Sequence, residues 1–320
     1  NSDDVGILVS DTSTIDGNIS NSGEITDSNW GIVVASSSSV GGDITNEGEI
    51  TASDSGIVVA SSSSVGGDIT NEGDINAAAS GILVTYSSTV IGDINNGAEA
   101  TIVAGEDGIK VDDSHVVGDI NNASGGEITA DQRGIRVENS TIDGSIINAG
   151  KLDTEQEGIL AHDSVLGGGI TNSGEIYADS KDGIQVDDSS VGGDIVNSGS
   201  IDSDGNSGIA VTDGSYIAGS MTNTSTGTIT ADESGMQVTD GSTVAADITN
   251  AGEIDVDDYG IWVENESTVG GDITNDTGGV ITADKNGIVV TSSSIVGGDI
   301  VNNGEITAEG IEVTATTSAM

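Results

Sequence analysis

Three kinds of side chain recur along this chain at spacings that could support chemistry. Asp stands directly before an aliphatic residue at Asp43, Asp68, Asp93, Asp119, Asp194, Asp247, Asp272 and Asp299. If the chain stacks at that interval, the carboxylates form a column of hard oxygen ligands, the chemistry of low-affinity Ca²⁺ sites. Asp43, Asp68, Asp93, Asp119, Asp247, Asp272 and Asp299 are therefore the candidate metal ligands, and Ca²⁺ the candidate cofactor. The same column also reads as a solvated acidic face that keeps the surface soluble. Neighbouring carboxylates about 4.8 Å apart repel by only about 1 kcal/mol in water.

Ser and Asn recur with equal regularity. Ser38, Ser63, Ser88 and Ser114 belong to a Ser column, and Asn46, Asn71, Asn96, Asn122, Asn148 and Asn172 to an Asn column; both run through every full repeat. No general base recurs beside the Ser residues. The two histidines, His115 and His162, occupy non-equivalent repeat positions, so neither completes a triad. Both columns share parity with inward aliphatics and read as structural. A buried amide without partners costs about 1–3 kcal/mol, and stacked copies remove that cost by bonding one to the next.

The elements that position these residues follow from the repeat. A Gly followed by Ile, once by Met, begins at Gly6 and returns every 23 to 27 residues, 25 being the commonest step, as far as Gly310. Such a period marks a repeat architecture. Inside it, Ile and Val alternate with a freely varying residue (Leu8, Val33, Lys110, Arg136, Gln185, Trp262, Glu312). That is strand alternation, with the aliphatics inward and the tolerant position outward. A middle segment, Ser38-x-Val40-x-Gly42-x-Ile44-x-Asn46 in the second copy, repeats the pattern, and a short Glu-Ile-x-x segment closes the repeat. After Asn96, Asn122, Asn223 and Asn275 the gap to the next inward aliphatic grows by two residues, which preserves in/out parity.

The expected fold is all-β: a right-handed parallel β-helix of about 13 coils of ~25 residues, three short strands per coil, running through residues 1–320 as one continuous solenoid open at both ends. At the strand spacing this is a rod about 60 Å long.

Composition narrows the partners. The 320 residues carry 54 acidic and 6 basic side chains, a formal charge of −48. The basic residues are spread along the chain, so nucleic acid and anionic lipid are poor partners; divalent cations and screening salt suit this surface better. Cys is absent, which excludes disulfides and thiolate metal sites. No apolar run is long enough to cross a membrane. The six Trp and Tyr residues and short corner insertions do not suggest a polysaccharide-degrading site.

With "NSGEIT…GIxV…SSxVGGDITN" laid out, the chain resembles the β-helical passenger repeats of bacterial autotransporters and related large surface proteins, in which N-x-G-x-I-x and G-I-x-V recur. That resemblance implies export and display at the bacterial cell surface or outside the cell. The chain begins inside one coil and stops early in another. The expected role is a non-enzymatic subunit of a head-to-tail surface filament or sheath, its partners copies of itself. The alternative is a stalk segment of a large adhesin, adjoining further repeats of one precursor.

Overall fold

The computed structural model describes residues 5–310; the last Gly-Ile-x-Val copy, Ile311–Val313, lies outside them, as do both termini. Among the described residues every regular element is a strand, and every strand pairing is parallel. The coils stack as a β-solenoid of about 12 turns of ~25 residues. The chain divides into two compact units, Asn1–Glu155 and Gln156–Met320.

Each unit is built from the same strand columns. In the first unit, two-residue strands such as Ser39–Val40 and Ser64–Val65 form one sheet, and three-residue strands such as Ile44–Asn46 and Ile69–Asn71 form a second. The third sheet has two limbs, Glu-Ile-x-x strands such as Glu49–Ala52 and Gly-Ile-x-Val strands such as Ile57–Val59. The second unit repeats this with Ser190–Val191, Ile195–Asn197, Ser200–Ser203 and Ile209–Thr212. There the two limbs also run together as one 11-residue strand, Val280–Val290.

The three faces agree with the sequence reading, and the turn between two of them falls inside what reads as one alternating segment. The chain bends at Gly-Gly-Asp, so Val40 belongs to one sheet and Ile44 to the next. Alternation survives because both residues still point into the coil.

Registers are like on like: Ile32, Ile57, Ile82 and Ile109 align, as do Val40, Val65 and Val90. These columns are buried almost completely, with Ile44, Ile57, Ile69 and Ile82 at 0% exposure. At about 1.5–3 kcal/mol for each buried aliphatic side chain, against about 0.5–1.5 for a hydrogen bond, they supply most of the stability. The Gly before each Ile is required by the same packing. A Cβ on Gly31 would collide with Ile50 Cγ2 and stand 2.5 Å from the Gly56 carbonyl oxygen.

The two-residue insertions are absorbed at the corner after the Asn. Asn46 Nδ2 donates to the carbonyl of Gly48 at 3.0 Å; in the enlarged loops Asn96 reaches Ala100 and Asn122 reaches Gly126, both at 3.3 Å. Ile102 therefore still pairs with Ile75.

Candidate functional site

The recurring polar residues stand where the backbone hydrogen-bond ladder slips. In a parallel sheet successive amides point alternately to the two neighbouring strands. At the corner before Ser38, two amides in a row point to the following coil. Ser37 N–H meets the Ser61 carbonyl at 2.9 Å, while Ser38 N–H donates to Ser63 Oγ at 3.2 Å. At Gly-Gly-Asp two amides in a row point to the preceding coil. Gly67 N–H meets the Gly42 carbonyl at 3.0 Å, and Asp68 N–H donates to Asp43 Oδ1 at 3.1 Å. In these coils the side chain supplies the acceptor that the bend removes from the ladder.

The arrangement recurs in both units. Ser63 and Ser88 donate their amides to Ser88 Oγ and Ser114 Oγ at 3.3 and 3.2 Å; Ser164 and Ser189 donate to Ser189 Oγ and Ser215 Oγ at 2.9 and 3.0 Å. Asp93 N–H bonds Asp68 Oδ1 and Asp119 N–H bonds Asp93 Oδ1, both at 2.8 Å. Asp119 Oδ1 accepts from Ser145 N–H and Asp194 Oδ1 from Ser220 N–H, both at 2.7 Å. Asp247 and Asp272 accept from the Asp272 and Asp299 amides at 2.8 and 2.7 Å.

Six of the seven carboxylates named as calcium ligands, Asp43, Asp68, Asp93, Asp119, Asp247 and Asp272, are thus amide acceptors through one oxygen, and Asp299 donates its amide to the last of them. Among the described residues, no group of three or more His, Asp or Glu side chains converges as a metal site would require. Sequence reasoning gave the Asp outward parity and missed this role. The available signal was the neighbouring Gly: a Cβ on Gly67, Gly92, Gly118, Gly271 or Gly298 would fall on the Asp Oδ1 of the preceding coil. The one Ala at this position, Ala246, follows a coil that carries Ser220 in place of Asp, and Asp247 N–H reaches Ser220 Oγ at 3.4 Å.

The Asn side chains form the third ladder. In the first unit Asn21, Asn46, Asn71, Asn96 and Asn122 each donate Nδ2 to Oδ1 of the next Asn, at 2.8–2.9 Å. In the second unit Asn172, Asn197, Asn223, Asn250 and Asn275 do the same, again at 2.8–2.9 Å. Asn46, Asn71, Asn96, Asn122, Asn148 and Asn172 are all fully buried.

Variation is concentrated on the outer side of the Gly-Ile-x-Val limb. The tolerant residue there faces out yet is often covered: Val33, Val58, Leu160, Ala210 and Val289 are only 1–8% exposed. Side chains of this column pack against the column just before the Gly. Arg136 Nη1 lies 3.4 Å from Asp107 Oδ2, Ser207 Oγ donates to Gln237 Oε1 at 2.7 Å, and the Tyr259 and Trp262 rings stand 4.9 Å apart.

Here the basic residues prove less dispersed than their sequence positions suggest. Lys110 and Arg136 are register partners, and Arg133 and Arg136 both approach the buried Asp107, at 3.8 and 3.4 Å. Burial raises the Asp107 carboxyl above its usual range, and the two guanidinium groups and Lys110 pull it back. In the second unit Asp182 occupies the equivalent column. Burial pushes it up to about 6, opposed by the Ser207 amide, which donates to Asp182 Oδ1 at 2.9 Å, and by Asn206; nearby Glu157 adds to the rise.

The histidines are paired and part-exposed. His115 Nε2 lies 3.1 Å from Asp143, and His162 Nδ1 lies 2.8 Å from Asp187. Comparisons with family models, with curated proteins and with solved structures find no match to this chain.

Proposed function

We propose that this chain is a non-enzymatic structural protein of the bacterial surface or extracellular space, whose solenoids join head to tail into a filament or sheath. One observation carries the reading: the ladders have direction. A coil that carries the Asp offers Asn Nδ2 donors and Asp Oδ1 acceptors to the coil that follows, and Asn Oδ1 acceptors and its Asp amide to the coil that precedes. Successive coils share like-on-like register, so the leading face of one Gly-Gly-Asp coil complements the trailing face of another. A surface that is its own complement by translation adds copies without closing, and an open strand edge is a template for such addition. The same complementarity serves a stalk that continues through further repeats of one precursor, which is the second reading.

A charge of −48 opposes end-to-end contact at low salt, so assembly requires screening over the Debye length of about 10 Å at 0.1 M. Negative-stain electron microscopy and sedimentation across protein and salt concentrations test the proposal. Fibres one solenoid wide that lengthen with salt are the expected result. Single particles at every concentration and salt would overturn the filament and leave the stalk.

A further inference from the structure

Two of the chain's six Trp and Tyr residues meet on one exposed strip of the second unit. Tyr259 precedes the Gly of its Gly-Ile-x-Val strand and Trp262 fills the tolerant outward position; their rings are tilted by 43° with centroids 4.9 Å apart, and both are only part-buried. A polar rim surrounds them. Gln237, the register partner of Trp262 in the preceding coil, has its Oε1 held by Ser207 Oγ, which directs its amide NH₂ away from that bond. Lys285 Nζ stands 5.3 Å from the Tyr259 ring centre and is fixed at 2.6 Å by Asp258.

We infer that this strip binds a neutral polysaccharide, with the pyranose C–H faces on Tyr259 and Trp262 and the hydroxyls on Gln237, Lys285 and Asp258. A pyranose ring presents weakly positive C–H groups on its flat face and hydroxyls at its edge. It therefore needs what the strip offers: the negative face of an aromatic ring bounded by a few oriented donors and acceptors. The rings sit on a stacked-sheet face, so they are preorganised and little order is lost on binding. Coils about 4.8 Å apart match the length of roughly one sugar unit, which lets an extended glycan run along the strip. Charge selects among glycans: a protein at −48 repels uronate and sulfate polymers, and neutral chains carry no such penalty.

Other turns of the solenoid provide conservative test variants. Ser234 stands in register with Tyr259 and Gln237 with Trp262, so Tyr259→Ser and Trp262→Gln place at this coil the pair its neighbour already carries. The titration uses the full chain with Trp30→Phe, leaving Trp262 as the only indole. Cellohexaose and chitohexaose are the probes, and oligogalacturonate is the charged comparator. A saturable change in Trp262 emission with a neutral oligosaccharide is expected, confirmed by calorimetry, together with at least tenfold weaker binding to oligogalacturonate. Tyr259→Ser is expected to weaken neutral binding at least tenfold with unchanged far-UV circular dichroism. Trp262→Gln, read by calorimetry, is expected to do the same. No saturable heat or emission change into the millimolar range would overturn the inference. So would equal affinity for the acidic oligomer, or self-association that Tyr259→Ser abolishes in a protein unresponsive to sugar.

Discussion

Gly271 and Asp247 test whether the Gly-Gly-Asp triplet is written by the coil before it. A Cβ on Gly271 would land on Asp247 Oδ1; its next neighbours, the Ala246 carbonyl carbon and Asp247 Cγ, stand at 3.0 Å. The carboxylate is thus the main obstacle, and Gly271→Ala should cost about 1–3 kcal/mol as an overpacked site. Asp247→Ser keeps an acceptor for the Asp272 amide, as Ser220 does for Asp247 at 3.4 Å. Exchanging a charge-assisted bond for a weaker neutral one should cost about 1 kcal/mol. In the double variant the carboxylate is gone and the methyl group has room, as at Ala246. Its total cost should stay near 1 kcal/mol, against about 2–4 if the two changes were independent. The coupling is therefore about 1–3 kcal/mol in favour of the pair. Urea unfolding followed by far-UV circular dichroism measures it for wild type, both singles and the double. Additivity within about 0.5 kcal/mol, the range for independent sites, would refute the assignment of the triplet to carboxylate packing.

Further outcomes follow from the buried polar groups. The Asp182 carboxyl is raised by burial from 3.8 to about 6. The folded state therefore holds this proton more tightly, and its contribution is present below about pH 4 and lost as pH rises to about 6. At 1.36 kcal/mol per pK unit this is about 3 kcal/mol. Asp182→Asn, which retains an acceptor for Ser207, should raise thermal stability at pH 7 and change it little at pH 4, as read by melting curves at both. Asn71 Nδ2 contacts the carbonyls of Gly73 and Thr101 and Asn96 Oδ1 at 2.9, 3.1 and 2.9 Å. Asn71→Asp turns that donor into a buried carboxylate among acceptors and should cost about 3–5 kcal/mol at pH 7, with partial recovery on acidification as the carboxyl regains a proton to donate. Melting temperatures across that range report it.

Much of the scaffold was legible because it is written many times. Ile32, Val40, Ile44 and Ile50 identify themselves as inward by alternation, and the solenoid makes each copy the neighbour of the next. The column of Asn residues is readable for the same reason: a polar residue at inward parity in every coil needs a partner, and its own copy is the one always present. Asp43 and its equivalents take a role that the sequence did not reveal, because outward parity says nothing about a backbone amide one coil away. The corner that creates that need lies inside an uninterrupted alternating pattern. Gly-Gly marked it, and the replacement of Gly by Ala246 after Ser220 was the sequence trace of the contact.

By itself the sequence determined the repeat, its length and the side of the strand on which each aliphatic lies, because period and parity are properties of a single strand. Only the tertiary structure decided which amides lose their backbone acceptors, and so which of the repeated polar side chains replace them. It also decided that Lys110, Arg133 and Arg136 gather near Asp107, and that Tyr259, Trp262 and Lys285 share one strip. Those positions do not repeat. Their neighbours are set by the bend between two limbs of one sheet and by the reach of long side chains across coils, quantities that no local pattern in the chain encodes.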